Sequence, residues 1–115
     1  MHGRRVLLDV TPDTATFGRT SLYRITLFHD TWYRKIIVAH PEMTGNERNV
    51  EDTLARPTEI YSSTSKGGTF LFTKLGIIDQ YNRPLRVVVI PTSVNDGMVA
   101  SAYFTKARGG SQIWP

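Results

Sequence analysis

The chain contains no cysteine among its 115 residues. That excludes disulfides, thiolate metal centres and cysteine nucleophiles together, and it makes the cytoplasm the default compartment. Long apolar runs are missing too, and nothing approaches the ~18 residues a membrane span needs. The first apolar stretch, Val6 to Val10, is interrupted by Asp9 and is too short for a signal-peptide core. Lys66-Gly67-Gly68 lacks the rest of a phosphate-loop pattern. His40-x-Glu42 and His29-Asp30 are the close histidine–carboxylate sets, and neither has zinc spacing. The acidic residues are scattered, which leaves a two-metal nuclease without its carboxylate cluster. Ser62, Ser63 and Ser65 have no nucleophile-elbow context. No metal and no cofactor is expected.

What is present suits one domain spanning 1–115. A hydrophobic content of 40% with 21% charge is enough to bury a single core and argues against wholesale disorder. The formal net charge is +4, which favours an anionic partner such as RNA.

The run Leu85 to Ile90 is nearly unbroken apolar and β-branched, so it reads as a central strand. Asn95-Asp96-Gly97 precedes Met98 to Lys106, and the two runs read as a hairpin looped through Pro91 to Gly97. Simple alternation places Met98, Ala100, Ala102 and Phe104 on one face. Val99, Ser101, Tyr103 and Thr105 then share the other. That hydroxyl-rich face is the candidate site.

Earlier in the chain, Arg5–Val10 and Leu22–Phe28 read as a strand pair, with Thr14–Thr20 as a loop. Asp30 is a candidate N-cap for a helix reaching about Ala39. Tyr33, Ile36, Ile37 and His40 form its inward stripe. Thr44 to Glu47 fits a capping box for a second helix to about Arg56, with Val50 and Leu54 buried. Thr58–Ser62 and Thr69–Leu75 are further strands, the second carrying Phe70, Phe72 and Lys74 on one face. Ile113 and Trp114 anchor an irregular end. The expected fold is α+β, with two helices on one face of a four-stranded antiparallel sheet and an extra N-terminal strand pair.

Several side chains have two uses open to them. His40, at a helix end before Pro41, is either a hydrogen-bonded structural histidine or a proton carrier near neutral pH. Lys74 either snorkels past aromatic surface or supplies a cation to a phosphate. Ser101, Tyr103 and Thr105 are core hydroxyls if their face is covered, and phosphate or base contacts if it is open. Lys106 and Arg108 are either a basic tail or a phosphate grip beside Gly109-Gly110, whose backbone freedom permits close approach. Lys66 can add to that grip. His2 lies at the terminus, and His29 precedes the cap.

An ordered set of motifs carries a resemblance. His40-Pro41-Glu42 leads to Thr53-Leu54-Ala55-Arg56-Pro57, then Ile60-Tyr61 and Phe70-Leu71-Phe72-Thr73-Lys74. The runs Arg86 to Ile90 and Val99 to Tyr103 follow, and Lys106 passes through Gly109-Gly110 to Ile113-Trp114. Over roughly Phe28 to Pro115 the chain resembles the phage-associated branch of the barnase–EndoU–colicin–RelE-like nucleases. Residues 1–27 lie outside the resemblance, and Ser101 stands where a threonine is expected. The resemblance implies a metal-independent endoribonuclease acting on tRNA or another structured RNA, toxin-like, with an inhibitory antitoxin or immunity protein as a plausible partner. His40 would then move the proton. Lys74, Lys106 and Arg108 would steady the phosphate that Ser101, Tyr103, Thr105 and Lys66 help to hold. The alternative is a phage or mobile-element module that binds nucleic acid or protein without catalysis.

Overall fold

The computed structural model describes residues 4–63 and 68–115. His2 and Lys66 therefore lie outside the described residues. Along the chain come β1 (Val6–Val10), α1 (Thr14–Thr20), β2 (Arg24–Phe28), a helical segment α2 over residues 29–39, and α3 (Glu47–Ala55). They are followed by β3 (Glu59–Ser63), β4 (Thr69–Ile78), β5 (Pro84–Pro91), β6 (Asp96–Phe104) and β7 (Ser111–Trp114). The strands form one sheet in the order β1-β2-β6-β5-β4-β3-β7. β2 runs parallel to β6, and the other neighbours are antiparallel.

The fold is α+β, with a larger sheet and one more helix than the sequence predicts. The antiparallel set β3–β6 is extended on one side by the β1–β2 pair and on the other by β7. Thr14–Thr20 is a helix rather than a loop. The Asp13 carboxylate accepts the Ala15 N–H at 3.0 Å, and the helix closes at Ser21 in the left-handed region. Its buried residues are Thr16 and Thr20, so no apolar periodicity announced it. No described helix is long and apolar enough to cross a membrane.

The core lies between the helices and one sheet face. Ile60, Phe72, Leu85, Val87, Val89, Ala102 and Phe104 pack with Trp32, Ile36, Val50 and Leu54. In α2 the predicted stripe is displaced, because Trp32 is fully buried and Tyr33 is exposed. A π-turn from Trp32 to Ile36, where the Ile37 N–H reaches the Trp32 carbonyl, carries an extra residue and shifts the helical phase.

A bulge alters β6 as well. Val88 pairs with Ser101 but Val89 pairs with Val99, so Ala100 is the additional residue. Val99 consequently turns into the core, at 1% exposure, and leaves the face that simple alternation gives it. Ser101 and Tyr103 stay opposite the core.

After Phe104 the chain doubles back across the sheet. The Thr105 N–H donates to the Pro84 carbonyl, and Arg86 donates to the carbonyls of Ala107 and Arg108. Gly109 lies over Arg86 and Leu71, and Gly110 lies against Ser62. This strap ends in β7, which pairs with β3 at its outer edge. At Gly110, φ is +134° and a Cβ would sit 2.3 Å from the Ser62 carbonyl oxygen. The flexibility of Gly110 thus serves a backbone crossing. Gly110→Ala is expected to detach β7 and cost about 1–3 kcal/mol, read as a lower urea midpoint. A midpoint equal to wild type would show that the crossing tolerates a methyl group.

Candidate active-site cleft

β3 alternates, so Glu59 and Tyr61 point away from the core that receives Ile60. Register then sets a polar row across the sheet. Glu59 pairs with Thr73, Thr73 with Arg86, and Arg86 with Tyr103. The strap crosses this row diagonally and divides it. On the β3–β4 side it roofs a cleft of about 240 Å³ lined by Glu59, Tyr61, Thr73, Leu75, Pro84, Arg86 and residues 105–108.

Arg86 forms the floor and is 5% exposed. Among the described residues no carboxylate stands within ion-pair distance of it. A buried charge without a counterion costs several kcal/mol. The carbonyls of Ala107 and Arg108, the latter at 2.7 Å, offset only part of that. Two buried polar atoms in the cleft, Arg86 Nε and Thr73 Oγ1, have no hydrogen-bond partner among the described residues. They belong to directly paired residues on adjacent strands. Both atoms are shielded from solvent under the strap, so an oxygen-rich anion would satisfy them and supply the missing negative charge once the strap shifts to admit it.

The Tyr61 hydroxyl donates to Glu59 Oε1 at 3.1 Å. Burial, followed by the bond to Glu59 and the charge of that carboxylate, raises the Tyr61 phenol above its usual range. The charges of Arg108 and Arg86 pull the other way without cancelling the rise. Tyr61 therefore stays a proton donor and fixes one oxygen of Glu59. Lys106 and Arg108 stand at the exposed rim. A carboxylate acceptor, a hydroxyl, a buried guanidinium and two rim cations thus share one small concavity.

Comparison of the chain with family models, curated proteins and solved structures finds no match in any of the three.

Of the residues singled out in the sequence, Thr105, Lys106 and Arg108 line the cleft. Thr105 accepts the Ala107 N–H at 3.0 Å, which shapes the start of the strap. Ser101 and Tyr103 share the same sheet face but lie on the β6 side of the strap. His40 is with them: its ring packs 5.2 Å from that of Tyr103, and its Nδ1 stands 3.6 Å from Glu42. Lys74 is on the opposite, helix-facing side, where it donates to the Arg56 carbonyl and stands 3.5 Å from Asp52. It closes the end of α3 and takes no part in the cleft. Glu59, Tyr61, Thr73 and Arg86 are not among the site residues the sequence suggests, although the last three lie in the motifs that carry the resemblance. The available signal was Arg86, a lone charge inside an apolar strand.

A larger concavity of about 510 Å³ opens beside the β4–β5 turn, bordered by Glu42, Asp79, Tyr81 and Arg83. Two of its charges are spent on one another, since Arg83 and Asp79 pair at 2.7 Å, and Glu42 stands 3.6 Å from His40. Partial desolvation acts to raise the Asp79 carboxyl. Hydrogen bonds from the Arg83 side chain and the Arg83 and Tyr81 N–H groups outweigh it, so the value falls below the ordinary 3.8. A depressed carboxylate stabilises the fold above its unfolded value, and that support is lost as pH drops through the folded value. The turn should therefore loosen only below about pH 4. Tyr81 and Asn82 amide shifts followed by NMR from pH 6 to 2 test this, and a transition centred above pH 5 would contradict it.

No group of three or more histidine, aspartate or glutamate side chains converges as a metal site among the described residues.

Proposed function

We propose that the chain is a metal-independent endoribonuclease and that the Arg86 cleft is where it cuts. The observation that carries this reading is the buried, carboxylate-free Arg86 beside the orphaned Thr73 hydroxyl, with Glu59 held in the same concavity. The fit is to a phosphodiester. Arg86 Nε–H and the Thr73 hydroxyl would hold a non-bridging oxygen, while Lys106 and Arg108 balance the charge that builds on the phosphorane. Glu59 accepts the 2′-hydroxyl proton as the 2′-oxygen bonds to phosphorus. The bond to the 5′-oxygen breaks, and that oxygen takes a proton from the Lys106 ammonium. The products are a 2′,3′-cyclic phosphate and a 5′-hydroxyl end.

This arrangement assigns the proton acceptor to Glu59 rather than His40. Strands in a sheet lie ~4.8 Å apart. Glu59 and Tyr103, three strands apart in one row, are therefore separated by roughly 14 Å, and His40 belongs to the Tyr103 end. One phosphate cannot be within hydrogen-bond reach of both. The cleft admits a phosphate with its sugar and not a duplex, which points to a loop or single-stranded segment of a structured RNA, tRNA included.

Incubating the protein with total cellular RNA in a chelator, beside an Arg86→Met variant, tests the reading. Discrete fragments with cyclic phosphate ends, lost in the variant, are expected. RNA that is retarded on a gel yet never cut would make the cleft a binding site only. RNA that is neither cut nor retarded would end the proposal.

A further inference from the structure

At the β1–β2 edge of the sheet, on the far side from β3 and β7, basic and aromatic side chains interleave. Arg4 is locked in place. Its guanidinium donates to Asp30 Oδ1 at 2.8 and 3.2 Å and to Thr31 Oγ1 at 2.8 Å, and lies 4.2 Å above the Phe28 ring. The backbone carbonyl of Arg5 accepts the His29 N–H at 2.8 Å. The His29 ring packs on Tyr33 with centroids 4.5 Å apart, and Arg34 follows. Arg4, Arg5, His29, Asp30, Tyr33 and Arg34 surround a concavity of about 380 Å³.

The charge balance here is one-sided. Elsewhere Arg24, Arg56 and Arg83 each pair with a carboxylate. In this concavity the one carboxylate, Asp30, is engaged by Arg4. The side chains of Arg5 and Arg34 form no ion pair or hydrogen bond with any described residue. Three arginines against one aspartate leave a local excess of two positive charges. Tyr33, 47% exposed, offers a ring face beside them. Beyond Arg4 the next depression contains Asp96 and the Asp9-bound Arg24, so the excess stops at Arg4.

We infer that this surface is a second RNA contact, gripping about two phosphates of single-stranded backbone outside the cleft, with Tyr33 as a stacking platform. The inference rests on the reading that RNA is the ligand. Arg5 and Arg34 supply the charge, and Arg4, held by Asp30, Thr31 and Phe28, sets the shape. Residues 1–27 add Arg4 and Arg5, so the grip depends on a part of the chain outside the nuclease-like region.

The test uses the full chain and a fluorescent 2′-O-methyl oligonucleotide, which lacks the attacking hydroxyl and cannot be cut. Affinity is measured by anisotropy across salt concentrations for wild type, Arg5→Ala/Arg34→Ala and Arg5→Lys/Arg34→Lys. Both positions are exposed, and circular dichroism checks that the fold is kept. For the alanine pair the salt slope should fall by about 1.4, which is 0.7 for each of two phosphates, with about tenfold weaker binding at 0.1 M salt. The lysine pair should keep the slope. Cleavage of a dinucleotide, which occupies the cleft alone, should run at the wild-type rate in all three. An unchanged slope and affinity in the alanine pair, or no binding by wild type, would overturn the inference. A reduced slope in a protein that cuts nothing would preserve this contact and remove the nuclease reading.

Discussion

Glu59→Gln is expected to slow RNA cleavage by about 10²–10⁴-fold, the usual contribution of a positioned general base. The amide keeps the shape of the carboxylate and an oxygen for the Tyr61 hydroxyl, yet it cannot take the 2′-hydroxyl proton. RNA affinity should therefore stay near wild type, and the loss should fall on the turnover rate. His40→Ala is the matched control. Its ring sits on Tyr103, across the strap from the cleft, so the variant should cut at close to the wild-type rate. The comparison is a single-turnover assay on one RNA, in chelator, with the three proteins side by side. If His40→Ala abolishes cleavage while Glu59→Gln does not, the acid–base assignment moves to the β6 side of the strap, and the Arg86 cleft loses its catalytic role.

Phe72→Ala carries the largest expected effect on stability. Phe72 is fully buried in β4, paired with Ile60 of β3 on one side and Val87 of β5 on the other. Removing its ring deletes contacts to the strands that hold Thr73 and Arg86, and the flanking sheet cannot close over the void. The expected cost is about 3–5 kcal/mol. For a domain of this size that is a melting temperature lower by about 10–25 °C. Thermal unfolding followed by circular dichroism reads it directly. A shift under 3 °C would mean that the core relaxes to fill the space, contrary to the packing described.

Much of the architecture was legible because apolar periodicity reports burial. Leu85, Val87 and Val89 alternate and are buried, and Val50 and Leu54 face the sheet. The failures have local causes. Helix α1 buries threonines, so it left no apolar trace. β7 is short, follows two glycines, and gains its ladder only from β3. The Ala100 bulge reverses Val99, and no pattern of residue types announces a bulge. At the site, Phe70, Phe72 and Lys74 do share a face as read, but the phenylalanines take that face to the helices and Lys74 goes with them. Glu59 and Arg86 are separated by 27 positions, and only cross-strand register, through Thr73 between them, brings them into one row. Sequence alternation shows which residues share a face of one strand, not which strands adjoin. The cleft was therefore readable only in part, through Thr105, Lys106 and Arg108.

The strap carries a consequence for biosynthesis. A chain emerging from the ribosome delivers Glu59, Thr73 and Arg86 well before Lys106, Arg108 and β7. The floor of the cleft can thus be laid down before its roof has docked. In that interval the Arg86 guanidinium lacks the carbonyls of Ala107 and Arg108, and the outer edge of β3 is unpaired. A nascent polypeptide halted there would hold the Arg86 floor without its rim cations, and an open strand edge ready to pair with another chain. On the reading proposed above, the cleft is complete only once the strap and β7 have docked.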